Sequence, residues 1–590
     1  MSALSHQSVA RFLLVALLLV LPLLLHFKRN HQAGQLSQAG FETVQAARYL
    51  ARTGKLRTLT VRPLETRYLR RPGQDGSVAD LRHGPLHLGI NAVVIKALRE
   101  TKPGRGDRAA VLLQLALVAL TGLATWQAGR RLFGDSGGPW QPVRAAFLFA
   151  FGGAAMSLAL EPEPSVLASL WMCLLGPVLV ALDGEKSVAR TIRLSALAGA
   201  LWGLMFLTLY SALVFLPVLA FYLFRVSRLR PVALGAFFLV ATALALPVGF
   251  LSWREAGNPL YRGPLLELVM HTPTYPGESL YHVGSMPRSL PAYLADGGIK
   301  EVVRKLVRNL YEYIPVLLTT IGPLVALLAA MAGLLRFSDS RLNRLRSLAF
   351  GLLGAHVLGL ALFFPPEGGA ASLFVHVPLL ALFASAALHI VVTARAQPAF
   401  FTQVALVGWS ALACLPGVAR FVAGTPTLAR APAMFEWLTE GAPQMRTLVK
   451  AERGLVASDI PAEVAFRHGI AGLLLPADSL ELTEAQERLG LTLDGVFVSA
   501  SLADGSLKKD EVLAPWHETQ NKVIGYWNVV SDLPAIERGR FVREYALSYP
   551  AALRNSLRGY QPLPIAEPGT GRYSLVFWYN QDLDERSGTE

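Results

Sequence analysis

Long apolar runs separated by short polar turns dominate the first two thirds of the chain. They lie near residues 11–27, 109–129, 143–160, 164–182, 194–209, 211–225, 231–253, 313–335, 345–364, 370–394 and 399–419, and each is long enough to be read as a membrane-crossing helix. The pair around Tyr210 reads as two segments, because about thirty apolar residues exceed one crossing and Pro217 interrupts the pattern. Two longer polar stretches, 28–107 and 254–312, are read as loops. Within the first, Thr43–Ala51 predicts a short interfacial helix and Leu86–Leu98 an apolar helix too short to span. Within the second, Ile299–Ile314 sets Val302, Val303, Leu306, Leu310 and Tyr313 against Arg304, Lys305 and Arg308, the pattern of a basic amphipathic helix at a headgroup surface or over a protein core. After about residue 421 the pattern changes. Residues 454–459, 491–499 and 573–579 alternate as strands and Ser479–Leu489 as a helix, which predicts a small α/β domain without a phosphate-binding glycine loop.

The distribution of basic residues orients the runs. Arg130, Arg131 and Arg144, then Lys186, Arg190 and Arg193, then Arg225, Arg228 and Arg230, then Arg336, Arg341, Arg344 and Arg346, then Arg395 all fall in connections on one side. The short turns on the other side, around Glu161 and Glu163 and around Glu367, carry none. The positive-inside rule then sets the N-terminus in the cytoplasm and both long loops and the tail outside. The first run starts basic, and Lys28-Arg29-Asn30 follows it in place of a small-residue cleavage site, so it reads as an uncleaved signal anchor of a bacterial inner-membrane protein.

Composition agrees. Of 590 residues, 53% are hydrophobic and 16% charged, with mean hydropathy +0.40. The net charge of +14 sits in loops facing headgroups, which argues against nucleic acid as a partner. Cys173 and Cys414 lie inside apolar runs and read as packing residues. The expected architecture is a mostly α polytopic membrane domain of about eleven transmembrane helices over 1–420, followed by a soluble extracytoplasmic α/β domain over 421–590.

The apolar runs hold almost no ionisable residue away from their ends, which disfavours an ion-coupled transporter. Polar chemistry gathers in the outside loops instead. Gly40-Phe-Glu42, the Ala-Arg48-Tyr-Leu segment and Asp80-Leu-Arg82-His83-Gly84-Pro85-Leu86 resemble the first external loop of GT-C glycosyltransferases of the protein O-mannosyltransferase and aminoarabinose-transferase type, family 39. The likeness continues through Gly129–Gly134, Glu161-Pro-Glu163-Pro, Gly257-Asn258-Pro259 and Val456–Asp459. The chain departs from the family pattern at the single acid Glu42 after Phe41, at His83-Gly84-Pro85 and at Tyr210-Ser211.

The resemblance implies transfer of a sugar from a polyprenyl-phosphate-linked donor to an acceptor hydroxyl on a lipid, glycan or protein, with membrane lipids around the site. It implies Glu42 as the carboxylate that takes the acceptor proton, with Asp80 as runner-up. Arg82, Arg254, Arg262, Arg304 and Arg308 are candidates for the leaving phosphate. His83 is a candidate donor to phosphate or sugar, and Glu161 and Glu163 could orient hydroxyls. No His/Asp/Glu cluster at ligand spacing argues for a metal, and no cofactor is expected. A transporter or flippase of lipid-linked sugars and a non-catalytic scaffold remain the alternatives. In this reading Glu42 and the basic outside loops form one site.

Overall fold

The computed structural model describes residues 6–31, 36–63, 66, 69–70, 72–134, 140–258, 267–275, 290–394, 398–423, 454–499, 514–529, 550–553, 556–557, 560–566 and 573–579. The helical domain begins with α1 (His6–Asn30). The first loop folds as α2 (Gln38–Thr53), three two-residue strands β1 (Arg57–Thr58), β2 (Thr60–Val61) and β3 (Val78–Ala79), and α3 (Pro85–Ala97). Then follow α4 (Asp107–Phe133), α5 (Gln141–Phe151), the single turn α6 (Ala155–Leu158), α7 (Pro164–Leu182), α8 (Val188–Thr208), α9 (Phe215–Val226) and α10 (Arg230–Ala256). After the second loop come α11 (Ile299–Ile321), α12 (Pro323–Leu334), α13 (Ser340–Phe363), α14 (Val377–Thr393) and α15 (Ala399–Ala423).

Every apolar run expected to cross coincides with helix. Among the described residues seven helical segments are long and apolar enough to span, and α11 with α12 makes an eighth if taken as one bent crossing. Four runs are divided, among them the run at 370–394, which is a 3-10 segment (Ala370–His376) leading into α14. The run at 143–160 breaks at Gly152-Gly153 into α5 and α6, and the run at 211–225 is a 3-10 turn (Tyr210–Val214) leading into α9. The run at 313–335 turns by 103° at Gly322. Gly322 holds φ +95°, and a Cβ there would lie 1.6 Å from the Gly152 carbonyl oxygen, so only glycine lets the two breaks meet. The Ala154 N–H donates to Thr320 O across this contact at 2.9 Å, which satisfies a carbonyl freed by the bend.

α2 is capped by Ser37, whose hydroxyl accepts from Gly40 N, and ends in left-handed Gly54. Gly40 through Arg48 are all buried, so this helix is enclosed by protein and does not lie along an interface. α11 also differs from expectation. Its buried stripe is Val302, Lys305, Asn309 and Tyr313, while Val303, Val307, Tyr311, Ile314 and Leu318 are exposed. The Lys305 ammonium donates to Phe363 O and the Asn309 amide to Ala361 O and Phe364 O, closing the C-terminal end of α13. The apolar face of this helix looks outward, as suits a surface bathed in hydrocarbon.

The C-terminal region comprises β4 (Leu455–Ser458), α16 (Pro461–His468), β5 (Ala471–Leu474), α17 (Ser479–Leu489), β6 (Leu493–Val498), α18 (Ala514–Val529), β7 (Tyr560–Ala566) and β8 (Tyr573–Tyr579). The strands expected at 454–459, 491–499 and 573–579 and the helix at 479–489 are present. Its sheet has the order β2-β5-β4-β6-β8-β7. The first four strands are parallel, β8 runs antiparallel to β6, and β7 runs antiparallel to β8. The edge strand β2 is donated by the first loop, with Thr60 opposite Gly472 and Val61 opposite Leu473. Val61, Leu69, Val78, Ala79 and Leu81 share a buried apolar cluster with Leu455, Leu473 and Val496. The first loop is therefore built into the C-terminal sheet, while Ala462 and Phe466 of α16 join the core of the helical domain.

Candidate active site

Three short elements of the first loop converge on one charged cluster. α2 presents Glu42 from its second turn, β2 runs directly into Arg62, and β3 runs directly into Asp80. Arg62 holds Glu42 in a two-pronged pair, Nη1 to Oε1 at 2.8 Å and Nη2 to Oε2 at 2.8 Å. Arg82 Nη1 stands 3.8 Å from Glu42 Oε1. Asp80 Oδ1 accepts the backbone N–H groups of Arg82 and His83, each at 3.1 Å, and its Oδ2 meets His83 Nδ1 at 2.9 Å. Gly84 allows the next step. A Cβ there would fall 2.2 Å from Thr208 O, so the turn into α3 is pressed against the end of α8, where the charge of Asp80 acts on Tyr210.

The electrostatics separate the acids into two kinds. Burial by itself raises a carboxyl pKa, but the charge and hydrogen bonds of Arg62, with His83 and Arg82 beyond, hold Glu42 well below the ordinary carboxylate range. Burial likewise opposes ionisation of Asp80, and His83 overcomes it, so Asp80 is also lowered. Burial lowers His83, yet the charge and hydrogen bond of Asp80 and the charge of Glu42 bring it up to about 8. One helical turn on, burial and then the charge of His83 push His87 down to about 3.

Glu161 and Glu163 occupy the turn before α7. Glu161 accepts from Ser37 N at 3.1 Å and from Ser37 Oγ at 2.9 Å, which fixes the N-terminus of the helix bearing Glu42. Burial pushes it up to about 7 against the pull of the Ser37 hydrogen bonds, with Glu163 adding repulsion. Glu163 is raised by burial, with Ser165 and the nearby His83 opposing.

The second loop contributes less than the sequence suggested. Arg254 binds its neighbour Glu255 at 2.6 Å, and Glu255 lies 3.6 Å from Arg57 of β1. Arg308 donates to His271 O at 3.1 Å, and Arg304 is exposed. Arg262 lies outside the described residues. Of the expected arginines, Arg82 is the one paired with Glu42 among the described residues. Arg62, its closer partner, was not singled out from the sequence. The alternating Thr58-Leu-Thr-Val61 stretch before it was the available signal.

No protein-family model matches the chain, and no curated protein matches it. Solved structures do. The archaeal oligosaccharyltransferase AglB from Archaeoglobus fulgidus, in complex with an inhibitory peptide and a dolichol-phosphate, aligns over 98% of this chain and 75% of its own with TM-score 0.54 at 12% identity. ArnT from Cupriavidus metallidurans, bound to undecaprenyl phosphate, aligns over 97% of this chain and 98% of its own with TM-score 0.51 at 12% identity. The chain has the GT-C fold. It is a mostly helical multi-pass membrane protein with strands gathered in its C-terminal region. A second Archaeoglobus fulgidus oligosaccharyltransferase structure, a complex with Zn and sulfate, aligns with TM-score 0.57 at 11% identity over 96% of this chain and 88% of its own. Among the described residues no three His, Cys, Asp or Glu side chains gather closely enough to hold an ion, and both oxygens of Glu42 are engaged by Arg62.

Proposed function

We propose that this protein is a glycosyltransferase that moves a sugar from a polyprenyl-phosphate-linked donor to an acceptor hydroxyl, at the membrane face where the first loop meets the C-terminal domain. The observation that carries the reading is Glu42 closed between Arg62 and Arg82 with the Asp80–His83 pair beside it. This sits on a fold shared with membrane proteins solved with dolichol-phosphate and undecaprenyl phosphate bound.

In this proposal the acceptor oxygen attacks the anomeric carbon as the bond to the phosphate oxygen breaks, inverting that carbon. Arg62 and Arg82 receive the charge left on the phosphate. In the structure the guanidinium groups lie on Glu42, which lowers its proton affinity. A phosphate that takes them as partners leaves Glu42 a stronger base, so arrival of the donor and readiness to accept the hydroxyl proton are linked. The Asp80–His83 pair favours a second reading of the proton step, because its imidazole titrates near 8 and an aspartate fixes its Nδ1 side. The basic residues at the opposite helix ends support a cytoplasmic N-terminus and an extracytoplasmic site in a bacterial inner membrane.

The test is the envelope glycan profile of cells carrying variants that accumulate normally. E42Q should abolish a glycan modification that the wild type supports. Full activity in E42Q with loss in H83Q assigns the proton step to the pair, and full activity in both sinks the enzymatic reading in favour of a lipid-linked-sugar transporter or a scaffold.

A further inference from the structure

Arg62 reaches Glu42 from a strand with little of its own to hold its register. β2 pairs with β5 over two residues, Thr60 opposite Gly472 and Val61 opposite Leu473, against four residues for β5 on β4. Gly472 brings no side chain to its pair, and none fits there, because a Cβ would fall 2.2 Å from Pro461 O where α16 begins. The link at this point is the backbone bond from Gly472 N to Leu59 O at 2.9 Å, while the buried Thr60 hydroxyl has no hydrogen-bond partner among the described residues. Cross-strand side chains and buried faces are what specify register. Burial of Val61 excludes a slip of one residue, which would turn it outward. A slip of two keeps that face inside and carries Arg62 about 7 Å away from its present place.

Gln45 supplies what the sheet lacks. It lies one turn along α2 from Glu42, on the same face. Its side-chain oxygen accepts from Thr58 Oγ1 at 2.8 Å and from Leu59 N at 3.2 Å, and Thr58 Oγ1 accepts in turn from Thr60 N at 3.0 Å. Three consecutive residues thus hang from one amide. The Leu59 N–H fixes which way that amide points, since a nitrogen in the same place would set donor against donor. Gln45 Nε2 is left buried without a hydrogen-bond partner among the described residues. Such a group is costly, so the two bonds made by the oxygen outweigh what the nitrogen forgoes.

We propose that Gln45 is a positioning residue, which sets the register of β2 through Thr58 and Leu59 and so delivers Arg62 to Glu42. The proposal rests on the reading of Glu42 and Arg62 as the reacting site, and it adds a residue that acts through the strand and not on the substrate. One helix then sets both members of the ion pair, the carboxylate by carrying it and the guanidinium by holding its strand.

Two readouts on the full-length protein test this. The first is the unfolding temperature in detergent. Q45M keeps the length of the side chain and removes the acceptor, and the fall it causes should be about twice as large in the wild type as in the R62A/E42Q background, where no ion pair is left to lose. T58V should act as Q45M does, whereas T58S keeps the hydroxyl and should stay within about 1 °C of the wild type. Equal falls in both backgrounds, or a loss in T58S as large as in T58V, overturn the proposal. The second readout is the envelope glycan in cells that accumulate each variant normally. Q45M should lower the modification about tenfold or more, because the reacting groups lose their alignment, with T58S near the wild type. Wild-type modification in Q45M alongside loss in E42Q means that Arg62 finds Glu42 unaided, and overturns the proposal. Modification unchanged in E42Q as well removes the reaction assigned to Glu42, and the unfolding temperatures then decide the role of Gln45.

Discussion

Glu42, buried in α2, and Glu161, half-buried against the Ser37 cap of the same helix, have opposite electrostatic fates. Glu42 is gripped by Arg62 and approached by Arg82, so it stays ionised; Glu161 meets only the N–H and hydroxyl of Ser37, so burial carries its pKa up to about 7. The residue type is the same, and the deeper of the two is the one that stays ionised. What differs is whether a guanidinium is delivered to the carboxylate, and that depends on strand β2, not on the helix that bears Glu42. The site thus holds an acid committed to its charge beside one able to carry a proton near neutrality, a division of labour that acid–base chemistry uses.

The sharpest way to break this contrast is R62A, which strands the charge of Glu42 in a buried setting. Unfolding by heat or denaturant should show a loss of about 3–5 kcal/mol, largely restored in the R62A/E42Q double variant. A loss equal in single and double variants means that Arg62 stabilises by something other than Glu42.

The next effect is the pH dependence of Glu161. Its folded pKa of about 7 exceeds the ordinary 4.5, so the folded state binds the extra proton and stability falls as pH rises between those values, by roughly 2–3 kcal/mol. E161Q should flatten the melting profile over that window. His83 titrates higher. Raised to about 8 from 6.5, it contributes stability that is complete below 6.5 and lost as pH climbs through 8, roughly 2 kcal/mol. H83Q should erase that decline while leaving the Glu161 window intact.

The smallest effect probes how α2 is held. Arg48 donates to Ala465 O and Phe466 O of α16 and lies over the Phe466 ring, while Phe41 packs on that ring from the same helix. R48K keeps the charge but loses the planar fork, and should cost about 1 kcal/mol with a several-fold loss of the glycan modification. Unchanged activity would mean that α2 is set by Ser37 and Glu161 alone.

Much of this was readable in the chain. Hydrophobic runs gave the helices, and alternation gave β4, β6 and β8, because each signal is local. The failures share a cause. α11 was recognised by its period, but a helical period does not say which face is inside when the exterior is hydrocarbon, so Lys305 was assigned to the surface and is buried. Glycines at 152, 153 and 322 stood in the apolar runs, yet the bends they permit require each other's carbonyls. Arg62 carries no local signal, because its position is set by the pairing of Thr60 and Val61 with Gly472 and Leu473, far along the chain.

That distance has a temporal side. Thr60 and Val61 can find their register only once β5 exists, some four hundred residues later, which at 5–20 residues per second is roughly 20–80 s of synthesis. Through that interval helices are being made while the strand that leads into Arg62 has no neighbour to pair with. Until β5 is made, a nascent chain lacks the strand pairing that sets the position of Arg62.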